Sequence, residues 1–317
     1  MQWARTSTCT RVEFGSNSNC PTTSVEFSVT SLTNLLRRRR EGSNNPFGTI
    51  EQIEGVYSPE LDNKRDLLIS LPGGYSTRKR QYPVIYMHDG QNLFDPATSF
   101  SGSWNVDVAM AEVSLDGLNA IVVGIPNMGR ERLAEYSPFE HPQLGGGRGD
   151  LYLDFLVNTV KPLIDDRYLT AADREHTGIV GSSMGGLISL HAFFQHPAVF
   201  GFAGVLSPSL WLTEAETFAF IEQAPFAPGK LYLDVGDLEG ARHVAKALRL
   251  RDLLEAKGYK LGEDLMWVEE EIGGHHESAW ARRFRDALPF LLPNAIETGE
   301  FPVAPTDTSS STRIPVR

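Results

Sequence analysis

The sequence predicts an α/β chain: a mostly parallel sheet with helices on both faces and antiparallel strands at its N-terminal edge. Two observations carry this. Short, nearly continuous apolar runs recur through the middle of the chain, separated by segments of helical period. Runs without polar alternation suit strands covered on both faces, and the intervening helices supply the cover. A length of 317 residues, 41% of them hydrophobic, is enough for one large core.

The elements follow in order. Residues 48–72 alternate polar and apolar side chains, predicting antiparallel strands with one solvated face. Apolar runs at 82–87, 120–125, 177–180, 202–206, 231–235 and 265–268 predict the buried strands. Helical periodicity appears at 152–163, 184–195, 241–257 and 279–292.

The ends read differently. Residues 1–45 are rich in Ser, Thr and Asn, hold six Arg against three Glu, and close on Arg37-Arg38-Arg39-Arg40. They are expected to be a flexible basic leader, followed by a globular domain over 46–293 and a flexible tail over 294–317. The leader lacks the apolar centre of a secretory signal, although a Ser/Thr-rich, Arg-containing segment is also compatible with a transit-type sequence. The expectation is a cytoplasmic protein. Cys9 and Cys20 both fall in the leader, which leaves the core neither a disulfide framework nor a cysteine zinc site.

A net charge of −11 argues against nucleic-acid partners, which are held by clustered Lys and Arg. No apolar run approaches the roughly 20 residues of a membrane span. The glycine run Gly145-Gly146-Gly147-Arg148-Gly149 lacks the Lys-Ser/Thr ending and preceding strand of a phosphate loop. No H-E-x-x-H or comparable metal motif occurs, so neither metal nor cofactor is expected. The partner expected is a small molecule, and the oligomeric state is not legible.

Chemistry concentrates in Gly181-Ser182-Ser183-Met184-Gly185, a G-x-S-x-G pattern between a predicted strand and a predicted helix. In that context the serine occupies a tight strand-to-helix turn with its hydroxyl raised toward substrate, and a Cβ at either glycine would crowd the backbone. Serine needs a base and an orienting acid before it becomes a nucleophile. The base is expected after the last strand, where His275 and His276 follow Gly273-Gly274. The acid is expected after 231–235, where Asp237 and Glu239 both qualify. His88 reads as a hydrogen-bonded loop residue. The amide of Met184, at a helix N-terminus, suits an oxyanion donor, and Gly90 permits a second donor at the amide of Gln91. Trp104 and Trp211, each in a loop after a turn signal, are candidate substrate-binding aromatics.

Segments 86–95 (YMHDGQNLFD), 101–107 (SGSWNVD), 123–138, 178–190 (GIVGSSMGGLISL), 207–211 (SPSLW), 233–240 (LDVGDLEG) and 273–280 (GGHHESAW) together resemble a serine esterase family of the α/β-hydrolase superfamily. That family includes enterochelin-esterase-like and feruloyl-esterase-like enzymes. The resemblance covers about residues 48–293. It implies an α/β-hydrolase fold, with Ser183 as nucleophile, His275 rather than His276 as base, Glu239 rather than Asp237 as acid, and Gln91 with Met184 as the oxyanion pair. The implied activity is hydrolysis of a small-molecule carboxylic ester through an acyl-enzyme. The alternatives are an acyltransferase with the same residues and, less favoured, an inactive binding protein on the same scaffold. His276 and Asp237 depart from the family's pattern.

Overall fold

A computed structural model describes residues 47–75 and 80–297. The expected leader, and the expected tail beyond Glu297, lie outside those residues. Eight strands form the main sheet: β1 (Thr49–Ser58), β2 (Asn63–Leu71), β3 (Val84–His88), β4 (Ile121–Ile125), β5 (Thr177–Ser182), β6 (Phe202–Leu206), β7 (Lys230–Gly236) and β8 (Leu265–Glu270). Their order is β1-β2-β4-β3-β5-β6-β7-β8. The pairings β1–β2 and β2–β4 are antiparallel. All others are parallel.

The helices are α1 (Val106–Ser114), α2 (Arg132–Tyr136), α3 (Gly149–Asp154), α4 (Lys161–Arg167), α5 (Met184–Gln195), α6 (Glu214–Gln223), α7 (Ala241–Lys257) and α8 (Glu277–Leu291). A π-helical segment, Phe155–Val160, joins α3 to α4, so the expected helix at 152–163 extends by several residues at both ends. Helices α1, α2 and α6 were not expected. Among the described residues two short antiparallel pairs lie beyond the main sheet, Glu140–His141 with Gly145–Gly146 and Arg80–Gln81 with Ile296–Glu297, and the second uses residues inside the segment expected as tail.

Successive strand residues divide between two cores. Val84 and Tyr86 of β3 join Ile179, Ala203, Val205, Leu231 and Leu233 on one face, beneath α5 and α7. Ile85 and Met87 join Val180, Phe202, Leu206 and Tyr232 on the other, beneath α1 and α8. Both faces are apolar, which is why the central strands read as continuous hydrophobic runs. The parallel arrangement carries the C-terminal ends of β3, β5, β6, β7 and β8 to one edge of the sheet, and the loops leaving that edge build the site.

Candidate active site

Ser183 lies between β5 and α5 at φ 58 and ψ −119, a strained conformation for a residue with a side chain. Its surroundings hold it there. Its N–H donates to the Leu206 carbonyl at 2.9 Å, and its carbonyl accepts from Ser209 N at 2.9 Å and from Leu187 N at 3.1 Å. A Cβ on Gly181 would stand 2.7 Å from backbone atoms of Gly185, and one on Gly186 would stand 2.8 Å from the Leu206 carbonyl oxygen. Gly185 is less constrained, with His88 Cβ nearest at 3.2 Å. Glycine therefore permits the close passage of α5 over the sheet.

The Ser183 hydroxyl meets two partners. Ser209 Oγ lies at 3.0 Å and His275 Nε2 also at 3.0 Å. The other ring nitrogen of His275, Nδ1, donates to Glu239 Oε2 at 2.8 Å. A carboxylate only accepts, so this bond places the ring proton on Nδ1 and leaves the Nε2 lone pair facing the serine. The histidine side chain is 37% exposed and the glutamate 1%. Its ring also meets Trp280 edge-on, with centroids 4.9 Å apart at 84°.

Glu239 is anchored through its second oxygen. Oε1 accepts from Ser207 Oγ at 2.6 Å, from Gly236 N at 2.9 Å and from an Arg283 guanidinium nitrogen at 3.3 Å. Burial pushes this carboxyl up, but the hydrogen bonds from His275, Ser207 and Gly236 outweigh it and bring the pKa down to about 2. Ser207 is itself at φ 42. Its hydroxyl accepts from Trp280 Nε1 at 3.1 Å and from Arg283 at 3.0 Å. Arg283 also donates to Asp234 at 2.6 Å and to the Gly274 carbonyl at 3.2 Å, just before His275. Burial pushes the Asp234 carboxyl up to about 7 despite Arg283.

The rival residues have other engagements. His276 is the N-cap of α8, its ring accepting from Ala279 N, while Ser278 Oγ lies 2.9 Å from Nδ1. Asp237 accepts from Gly273 N at 3.2 Å and ties two loops together. His88 is buried against Tyr152, 2.8 Å from its hydroxyl, and burial pushes its pKa down to about 3.

The loop after β3 is braced from several sides. Asp89 stands at φ 54 and takes a bidentate pair from Arg132 at 2.7 and 2.8 Å. Asn127 Nδ2 donates to the same carboxylate at 2.6 Å, and Asn127 N donates to Gln91 Oε1 at 3.1 Å. A Cβ on Gly90 would stand 2.7–2.8 Å from the backbone of residues 124–126. Gln91 lies in the single 3₁₀ turn Gly90–Asn92, and Met184 is the first residue of α5. Both amides thus belong to first turns, whose N–H groups have no partner within the helix.

The two tryptophans separate. Trp211 is 52% exposed on the loop after β6, close in sequence to Ser209. Trp104 is 4% exposed, and its ring packs against Trp280 and Phe284 in the core beneath α8. Sequence reasoning missed Ser207, Ser209, Asp234, His243 and Arg283. The two serines fell within the segment SPSLW and Asp234 within LDVGDLEG, whereas His243 and Arg283 lay outside the matching segments.

A sheet in this strand order, with a strained serine on the β5–α5 turn, defines an α/β-hydrolase. The sequence matches the family described as "Putative esterase" over residues 58–291, and the chain belongs to that family. It is a carboxylic ester hydrolase. YbbA of Bacillus subtilis (strain 168), an uncharacterized protein, is 28% identical over 253 residues, which cover 75% of this chain and 97% of YbbA. The siderophore triacetylfusarinine C esterase of Aspergillus fumigatus is 31% identical over 156 residues, 46% of this chain and 52% of that enzyme. Among solved structures, an IroE-like serine hydrolase from Shewanella oneidensis shares the fold at TM-score 0.63 and 21% identity, covering 76% of this chain and 79% of its own. Among the described residues no helix is long and apolar enough to cross a membrane.

Proposed function

We propose that the chain hydrolyses its ester through Ser183 as nucleophile, His275 as general base and acid, and Glu239 as the orienting carboxylate. The observation that carries this is the unbroken chain from Ser183 Oγ to His275 Nε2 at 3.0 Å and from His275 Nδ1 to Glu239 at 2.8 Å. His275 takes the serine proton as Oγ attacks the carbonyl carbon. The amides of Met184 and Gln91 receive the developing oxyanion, and Glu239 stabilises the imidazolium. His275 then protonates the leaving alcohol, and an acyl-serine remains. Water, deprotonated by the same ring, adds to the acyl carbon, and collapse returns the serine and releases the acid. Trp211 lines the substrate side of the serine. The substrate is a small-molecule ester, and the A. fumigatus relative makes siderophore esters the first class to try.

The test is Ser183→Ala assayed on an aryl acetate, alongside labelling with a fluorophosphonate. Turnover should fall on the order of 10⁴-fold or more, and the adduct should appear on Ser183 of the wild-type chain alone. Undiminished turnover in the folded variant would overturn the assignment.

A further inference from the structure

The carboxylate of Glu239 faces two histidines. Besides His275, the first turn of α7 brings His243 Nε2 to 3.4 Å from Glu239 Oε2, the oxygen that already holds His275. The contact is close enough for an ion pair, yet His243 Nε2 is buried and has no hydrogen-bond partner among the described residues. A buried polar atom normally has a partner. A cation accepting one lone pair from this nitrogen and one from the carboxylate oxygen would satisfy both at once.

We infer that Glu239, His243 and His275 form a binding site for a divalent transition-metal ion, zinc above all, whose occupancy switches the hydrolase off. One ligand atom from each residue lies within 4.8 Å of the others. Two imidazoles and one carboxylate are a zinc donor set, with a fourth position left for water. Bonds of 2.0–2.1 Å to a tetrahedral ion set its ligands about 3.3–3.4 Å apart. The His243–Glu239 separation already has that value. His275 Nδ1, now 2.8 Å from Glu239, must withdraw by about half an ångström, and its exposed ring is free to do so. The two histidines draw together around the ion, and their rings already meet edge-on with centroids 5.4 Å apart.

The consequence for chemistry follows from one proton. A neutral imidazole carries a single N–H, and in the empty site it lies on Nδ1. When the metal takes Nδ1, that proton must move to Nε2, with no net release. Nε2–H can then donate to Ser183 but cannot accept its proton, so attack is blocked. Metal binding needs only the three side chains, whereas the block rests on His275 acting as the base proposed above.

The site and the block can be tested apart. Zinc chloride is titrated calorimetrically into metal-stripped full-length chain carrying Ser183→Ala, and into the same chain also carrying His243→Ala or His243→Gln. The first should bind one zinc, and both double variants should bind it about tenfold more weakly or worse, having lost one of three ligands. Cobalt(II) in the first protein should show the visible bands of a four-coordinate ion, a readout that does not depend on the folding of either His243 variant. Equal zinc binding in all three proteins, or no binding and no cobalt bands, overturns the site. In the wild-type chain, zinc should suppress ester hydrolysis and a chelator should restore it. Zinc uptake that requires His243 yet leaves wild-type hydrolysis unchanged would uphold the site and overturn the block.

Discussion

Ser207 donates a 2.6 Å hydrogen bond to the Glu239 oxygen that His275 does not use. The same hydroxyl accepts from Trp280 and Arg283, so one atom joins β6, the acid loop and α8. Ser207→Ala removes that junction and leaves two buried donors short of an acceptor. We expect kcat to fall on the order of 10–100-fold with KM nearly unchanged, because the proposed acid and base lose their alignment rather than their identity. Stability should drop by about 1–3 kcal/mol. Steady-state kinetics and urea unfolding on one preparation measure both.

The adjacent histidines should part under mutation. His275→Ala removes the proposed base and should reduce turnover on the order of 10⁴-fold. His276→Ala removes the cap of α8, costing about 0.5–2 kcal/mol of stability while most of the turnover remains. A parallel assay and thermal melt of the two variants checks this. A large loss of turnover in folded His276→Ala protein would contradict the division.

Glycine at the serine turn offers a graded test. Gly181→Ala sets a Cβ 2.7 Å from backbone that cannot retreat, whereas Gly185→Ala meets the His88 side chain at 3.2 Å. The first should misfold or lose about 3 kcal/mol or more, and the second should lose clearly less. Soluble yield and urea midpoints rank them.

Acid should weaken the fold through Glu239. Its native carboxyl titrates near 2, below the ordinary value of 4.5, so the unfolded chain binds its proton first as pH falls. The stability this residue contributes is complete above about pH 4.5 and is lost as pH falls toward 2. Urea midpoints measured from pH 6 to pH 3 should fall less steeply in Glu239→Gln than in wild type.

Much of this was legible in the residues themselves. The helix at 184–195 and the strand at 202–206 lie where their patterns place them. The buried strands announced themselves because both faces are apolar. Helix α6 stayed hidden because it buries only Thr217, Phe218 and Ile221, too few to set a period. Helix α1 carries ordinary starting residues, Asn105 at its N-cap and Asp107 in its first turn, but has only nine residues in which to show a period. In the site, Ser183 was legible because its turn demands glycines at fixed offsets. The pair of histidines and the pair of acids were not separable by pattern, since only folding shows that His276 caps a helix and Asp237 ties a loop. Asp234 and Arg283 lie 49 positions apart in sequence and meet across the sheet edge, which no local pattern records.

The strand order also has a directional meaning. Ser183 leaves β5, with β3 and its Gln91 loop on one side and β7 and β8, bearing Glu239 and His275, on the other. On the proposed mechanism the carbonyl oxygen must turn toward the β3 side and the departing oxygen toward the β8 side. The sheet thus presents only one prochiral face of the carbonyl to attack. Enlarging the alcohol should press on the loops after β7 and β8 and leave the loop after β3 untouched.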